Sequence, residues 1–298
     1  MRVIQISALV YWLFFLNNAY LYAEALAPLA DVHVHYKWSQ TEVTTPQQAV
    51  EAMQRNNVVL AIVFGTPPEI VLDVKSSGKL NVIHFFQPYI HPFLKPHWFL
   101  NKRAPEAVRT ALASGKYKGV GEIHISDGIG PRMDNQNFNR ILQIAAEFNA
   151  PVNLHTNSSS PRYMQRICRK HAKTRFIWAH AGGLQAEGVS EVLSQCNNVW
   201  VEFSARDHLK SVSGIPVADI DGNLAKGWLA LFKRHPDKFM IGSDPIWPVT
   251  DIDSWHSNDT GWQTVDDVYA YHRRWLNTLP AELGNKLRYQ NAVKLFKP

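Results

Sequence analysis

The chain has 298 residues, 46% of them hydrophobic, and a formal net charge of +6 from 31 basic and 25 acidic side chains. That is enough apolar material for one large core, and α/β barrels of about 250 residues normally form a single domain. The charge is mild and dispersed: it admits anionic substrates but builds no basic groove for nucleic acid, and no apolar run reaches the roughly 20 residues of a membrane span.

Residues 1–25 read as an export signal. Arg2 supplies a positive start, residues 8–16 an apolar centre that Asn17 and Asn18 interrupt, and Ala23-Glu24-Ala25 a small-x-small cleavage site. The expectation is a removable leader followed by one domain over 26–298, exported to the periplasm in a bacterium and secreted otherwise. Cleavage removes Arg2 and Glu24, one charge of each sign, so the mature chain keeps its +6. Cys168 and Cys196, the two cysteines, fall in expected helices; in an exported protein they either pair or remain thiols.

Beyond the leader, β-branched apolar runs alternate with amphipathic segments. Strands are expected at 29–36, 58–64, 80–87, 119–125, 151–155, 175–180, 199–204 and 238–244. Helices are expected at 45–56, 105–114, 137–148, 161–173, 188–196, 224–234 and 265–296, the last broken near Pro280. Eight strand-then-helix units, with strands too apolar for a half-exposed sheet, point to an α/β fold of the TIM (β/α)8 barrel type. An open doubly wound sheet would place a Gly-rich phosphate loop after its first strand; here that position reads His35-Tyr36-Lys37-Trp38. Three long aromatic connections, 88–103, 207–222 and 245–263, carry His91, Trp98, His208, Trp247, Trp255 and Trp262. They follow strands, where barrel enzymes keep substrate contacts, although most of these tryptophans are expected simply to pack.

The chemistry concentrates at strand ends. Strand one ends in Asp31-Val32-His33-Val34-His35, whose alternation puts Asp31, His33 and His35 on one face. Strand four contains Gly121-Glu122-Ile123-His124, strand five closes on His155, strand six on Ala179-His180-Ala181-Gly182-Gly183, and strand eight on Gly242-Ser243-Asp244. For any single histidine a structural role is the default, and His84, His171, His235 and His272 keep it. In a closed barrel the others converge at one rim, and imidazole with carboxylate is the natural donor set of a catalytic divalent ion. Asp244, directly after Phe239-Met240-Ile241-Gly242, would be costly to bury without a cation or strong hydrogen bonds.

On these motifs, and on the closing Asn291-Ala292-Val293-Lys294-Leu295-Phe296, the chain from Asp31 onward resembles the metal-dependent TIM-barrel hydrolases of the amidohydrolase superfamily, in particular the amidohydrolase-related (amidohydrolase 2) family. The resemblance implies that His33, His35, His155 and Asp244 hold one divalent metal ion, Zn(2+) foremost, with Glu122 a further ligand or bridge and a second ion present in some branches. It assigns His180 either to a second metal or to acid/base and carbonyl-polarising work; His124 is a lesser candidate. Gln290 departs from a position where glycine is frequent in the family.

The expected activity is hydrolysis of an amide, lactone or ester bond in a small-molecule substrate, with Asp244 accepting the proton of an activated water and His180 stabilising the oxyanion. Arg132, Arg162 and Arg206, each soon after a strand end, are candidates for binding a substrate carboxylate. Decarboxylation of the aminocarboxymuconate-semialdehyde type uses the same ligands and is the main alternative. A TatD-like nuclease lacks its basic groove here, and serine hydrolysis lacks GxSxG. A non-catalytic binding barrel would be expected to have lost ligands, and none is missing. The sequence leaves the substrate and any homo-oligomer open.

Overall fold

Where β-branched and aromatic residues run unbroken, the chain extends. The computed structural model describes residues 26–89, 97–125, 130–157, 159–208, 215–246 and 258–296. Its strands are β1 (Leu29–His35), β2 (Val58–Phe64), β3 (Asn81–Phe86), β4 (Gly119–His124), β5 (Val152–His155), β6 (Phe176–Trp178), β7 (Val199–Glu202) and β8 (Phe239–Met240). They form one parallel sheet in the order β1 to β8. The sheet closes on itself: Asp31 bridges Ile241, Val32 N donates to Ile241 O at 3.0 Å, and Asp244 N donates to His33 O at 2.8 Å. This is the expected TIM barrel.

Helices α1 (Pro46–Arg55), α2 (Ala104–Ala113), α3 (Gln136–Glu147), α4 (Pro161–Lys170), α5 (Ala186–Leu193), α6 (Trp228–Arg234) and α7 (Val265–Asn277) are interleaved with and follow the strands; α8 (Ala281–Asn285) and α9 (Asn291–Leu295) end the chain. Side-chain caps mark the starts of α1 and α3, where Thr45 and Asn135 accept from the first turn. Thr45 precedes Pro46 and accepts from Gln48 N at 3.2 Å, while the Gln48 side chain accepts from Thr45 N at 2.8 Å. The expected break at Pro280 separates α7 from α8. Between β2 and β3 the described link carries a 3-10 segment, Pro68–Asp73, where a regular unit would have an α-helix.

Two apolar layers result. Ala30, Val32, Leu60, Ile62, Phe64 and Met240, with others, fill the barrel interior, and Ala292 and Leu295 of α9 pack into the same cluster. The larger layer lies between sheet and helices. Cys168 of α4 and Cys196 after α5 are joined in a disulfide with Cα atoms 5.9 Å apart, which settles the question the sequence left open. Residues 1–25, His91, Trp247 and Trp255 lie outside the described residues.

Candidate metal centre and active site

A slip in β1 builds the site. Leu29, Val34 and Tyr36 belong to the outer layer and Ala30 and Val32 to the inner one, yet His33 and His35 also turn inward, their rings meeting Phe64 at 4.8 and 4.7 Å. Strict alternation would put Val32 and His33 on opposite faces. The β1–β2 register shifts between Asp31 and Val34, and His33 N donates to the Asp31 carboxylate at 3.1 Å in place of a regular ladder bond. This corrects the expectation that Asp31 shares the histidines' face. Asp31 turns to α7, where it accepts from Tyr269 OH at 2.7 Å, and it also takes Ser243 N at 3.0 Å. It is a buried clamp between β1, β8 and α7, and burial raises its pKa against those hydrogen bonds.

The remaining strand ends bring their groups to the same rim. Glu122, buried on β4, is the centre: its Oε2 lies 2.7 Å from His124 Nε2 and 3.3 Å from His35 Nε2, and its Oε1 lies 2.8 Å from His155 Nδ1, 3.4 Å from His180 Nε2 and 3.8 Å from His33 Nε2. Asp244 Oδ1 stands 3.4 Å from His35 Nε2 and 3.6 Å from His33 Nε2. His124 and His155 stack with centroids 4.3 Å apart, and their side chains are 34% and 20% exposed where that of His33 is fully buried, so the cleft opens over β4 and β5. His180 reaches the rim from a left-handed turn, with positive φ at His180, Ala181, Gly182 and Gly183. At Gly182 the turn also needs the missing side chain, since a Cβ there would sit 2.3 Å from the Trp178 ring.

Burial disfavours charge on His33, but the surrounding Glu202, Asp244 and Glu122 carboxylates outweigh it and push the imidazole up to about 10. His35, with less compensation, is lowered by burial. Burial likewise opposes charge on His180, yet its hydrogen bond to Glu122 and the nearby carboxylates raise it. Glu122 is held well below the usual carboxylate range because the surrounding imidazoles overcome its desolvation.

The donor set fits a divalent cation. Three overlapping groups, His33/His180/Asp244, His33/His35/Glu122 and Glu122/His124/His155, each bring their donor atoms within 4.8 Å of one another. Two kinds of spacing stand beside the longer 3.6 and 3.8 Å from His33 Nε2 to Asp244 and Glu122. His33 Nε2 to His35 Nε2, His35 to Asp244, His35 to Glu122 and His180 to Glu122 are 3.3, 3.4, 3.3 and 3.4 Å. Those match the edge of about 3.3 to 3.4 Å between ligands that are each about 2.0 to 2.1 Å from a tetrahedral ion. The 2.7 and 2.8 Å separations of His124 and His155 from Glu122 are hydrogen-bond lengths.

Not every expected site residue arrives. Arg132 has a side chain 86% exposed and pairs with Asp134 in solvent, and Arg162 is exposed in the first turn of α4. Arg206 is fully buried behind the rim, where Nη1 donates to His180 O and Leu184 O at 3.0 and 2.8 Å and Nε to Ile215 O at 2.7 Å. Among the described residues no hydrogen bond or ion pair joins the guanidinium of any of the three to a side chain of the cluster; proximity to a strand end in sequence does not decide which face of the loop a side chain takes. Two of the loop tryptophans instead steady the histidines: Trp98 Nε1 donates to His124 O and Trp262 Nε1 to His35 O, each at 3.2 Å.

Glu202 is a buried acid against the cluster that the strand-end reading missed. It ends β7, fully buried, and takes His33 Nδ1 at 3.0 Å and His180 N at 2.9 Å. The alternation Val199-Trp200-Val201-Glu202-Phe203-Ser204, an acid inside a strand otherwise apolar up to Phe203, was the available signal.

A family model described as amidohydrolase matches residues 21–297. No curated protein matches the chain. Among solved structures it is similar to a probable 2-pyrone-4,6-dicarboxylic acid hydrolase from Acinetobacter baumannii with citric acid bound, at 15% identity over 90% of this chain and 98% of that one, with a TM-score of 0.54. It is similar also to a dihydroorotase from Campylobacter jejuni, at 12% identity over 90% of this chain and 82% of that one, TM-score 0.56. A 4-oxalomesaconate hydratase from Rhodopseudomonas palustris gives 12% identity over 90% and 95% of the two chains, TM-score 0.53. At these identities the structures speak for the barrel alone, and the family rests on the sequence match over almost the whole domain: the chain belongs to the amidohydrolase family of enzymes.

Proposed function

We propose that this enzyme is a metal-dependent hydrolase that cleaves a C–N or C–O bond of a small amide, lactone or ester. The observation that carries the reading is the convergence of His33, His35, His180, Glu122 and Asp244 at tetrahedral-edge spacings in a buried rim. His33, His35, Asp244 and Glu122 would hold a divalent ion, with zinc the best match to a mixed imidazole and carboxylate set, and His155 would join them from the exposed side. Such an ion, when bound, supplies the Lewis acidity that acidifies water and polarises a carbonyl.

The chain's own groups do the rest. Asp244 accepts the proton of the attacking water and returns it to the leaving nitrogen or oxygen. His180, whose Nδ1 is tied to Ser204 O at 2.9 Å, presents Nε2 to the Glu122 side of the cluster, where it would steady the developing oxyanion. The buried position of His33, His35 and Glu122 keeps bulk water from competing for these charges. The disulfide agrees with an exported enzyme, and we place it outside the cytoplasm on that ground together with the leader-like residues 1–25.

Metal analysis of protein purified without added metal, followed by chelation and reconstitution, tests the reading. Bound zinc or another divalent ion, loss of turnover on stripping and its return on refilling are expected in a screen of amides, lactones and esters. Full activity in stripped protein would overturn it, as would carbon dioxide release without bond hydrolysis.

A further inference from the structure

Glu202 is an expensive residue to place where it is. It is fully buried at the barrel mouth, and among the described residues no lysine or arginine lies within ion-pair distance of it. A buried carboxylate is tolerated only when its lone pairs are met by donors. Here Oε1 faces His33 Nδ1 at 3.0 Å, His180 N at 2.9 Å and Ser204 Oγ at 3.0 Å, and Oε2 takes Ser204 N at 2.6 Å. The segment that follows the neighbouring strand β8 makes room for it: a Cβ on Gly242 would lie 2.8 Å from Glu202 Oε2, 2.6 Å from His33 Cβ and 2.9 Å from Ser204 Cβ.

The consequence falls on the imidazoles. An ionised carboxylate only accepts, so the Nδ1 of His33 that faces it must carry a hydrogen. The ring is then oriented with Nε2 toward His35 and Asp244, 3.3 and 3.6 Å away. Ser204 continues the pattern: its carbonyl accepts from His180 Nδ1 at 2.9 Å, and its hydroxyl, beside that same nitrogen, donates back to Glu202. His180 Nε2 is thereby aimed at Glu122. One short stretch at the end of β7 thus orients one ring from the expected metal set and the ring expected to polarise the carbonyl.

We propose that Glu202 is a positioning residue of the centre: it fixes which nitrogen of His33 faces the cation position, and through His180 N and Ser204 it holds the left-handed turn that carries His180. The inference rests on the metal-centre reading above for its effect on cation affinity, while the orientation of the His33 ring rests on its hydrogen bond to Glu202. Carboxylates behind metal-binding histidines typically contribute 10- to 100-fold in metal affinity, and an effect of about that size is expected here.

The test uses the full folded protein with zinc alone as the probe. Zinc affinity, measured by chelator competition, should fall about 10-fold in Glu202→Gln, which keeps one acceptor oxygen, and about 100-fold in Glu202→Ala. Far-ultraviolet circular dichroism should be unchanged in both. Nitrogen-15 NMR of the histidine rings in the wild-type protein should show His33 with a hydrogen-bonded Nδ1–H, with zinc and without it, and that signal should vanish in Glu202→Ala. A folded Glu202→Ala with wild-type zinc affinity would overturn the proposal. So would a wild-type His33 that carries its proton on Nε2 alone, a result that needs no variant to fold. If wild-type protein binds no divalent ion while His33 keeps its Nδ1–H, the metal reading fails and the orienting role of Glu202 stands.

Discussion

The Cys168–Cys196 cross-link is open to a clean test, because both sulfurs lie in the outer layer, away from the rim. Replacing both cysteines with alanine releases a loop with a sequence separation of 28 residues. In the chain-entropy account, freeing a loop of that size restores disorder to the unfolded chain worth about 3.6 kcal/mol at 25 °C. At roughly 2 °C per kcal/mol for a domain of this length, Tm should fall by about 7 °C. Because Cys168 and Cys196 are each 1% exposed, mild reductant reaches them slowly, and the double variant is a better perturbation than reduction. Thermal unfolding followed by circular dichroism reads the shift, and thiol titration of the denatured wild-type chain should find no free sulfhydryl. Zinc affinity and turnover at 25 °C should not move. A Tm within 1 °C or so of wild type, or two titratable thiols in native protein purified under oxidising conditions, would refute the reasoning.

Further outcomes follow from groups around and away from the centre. His171, half-buried at the end of α4 beside Lys170, is lowered to about 4 from the usual value of about 6.5 by burial first and the neighbouring charge second. A depressed histidine favours the folded state above its unfolded pKa, and that preference is lost as pH falls through the folded one. Stability should therefore decline between about pH 6.5 and pH 4, by about 1 to 2 kcal/mol once solvent screening is allowed for, and the decline should flatten in His171→Gln in urea titrations across that range. At the rim, Arg206→Lys offers one nitrogen where the guanidinium meets three carbonyls, so it should cost about 3 kcal/mol and lower kcat about 10-fold by loosening the His180 turn, with KM little changed. Arg132→Ala and Arg162→Ala should stay within about twofold of wild type; a large KM effect in either would place that guanidinium at the substrate instead of in solvent.

What the chain discloses without a structure is governed by period. Hydrophobic runs of strand length separated by amphipathic turns of helix length specify a parallel barrel, and a barrel necessarily gathers its strand ends; this is why His33, His35, Glu122, His155, His180 and Asp244 could be grouped from residues scattered over more than two hundred positions. What stays hidden is whatever depends on side-chain direction outside a regular strand. Arg132, Arg162 and Arg206 are all near strand ends, and their environments range from open solvent to a sealed pocket behind the rim. Glu202 was hidden for the opposite reason, since it sits in a perfectly regular strand and its importance lies wholly in which residues the closed sheet sets beside it.

β1 carries both lessons in five residues. Period-two alternation makes Asp31, His33 and His35 equivalent, and on a regular strand they would all face the barrel axis. Three acidic or imidazole groups stacked on one face would then compete for the same space, and the innermost, Asp31, would be buried beneath the other two with only the apolar barrel filling for company. The local shift removes that conflict. It sends Asp31 outward to Tyr269, where its second oxygen finds a donor, and it turns His33 inward one residue after Val32, against Glu202. The backbone amide that the shift frees from the ladder is taken up by Asp31 itself, so the irregularity leaves no unpaired donor. A residue with no hydrogen-bonding side chain at position 31 would leave both the His33 amide and Ser243 N unmet, and the rim would lose the one feature that lets neighbouring residues of a strand face the same way.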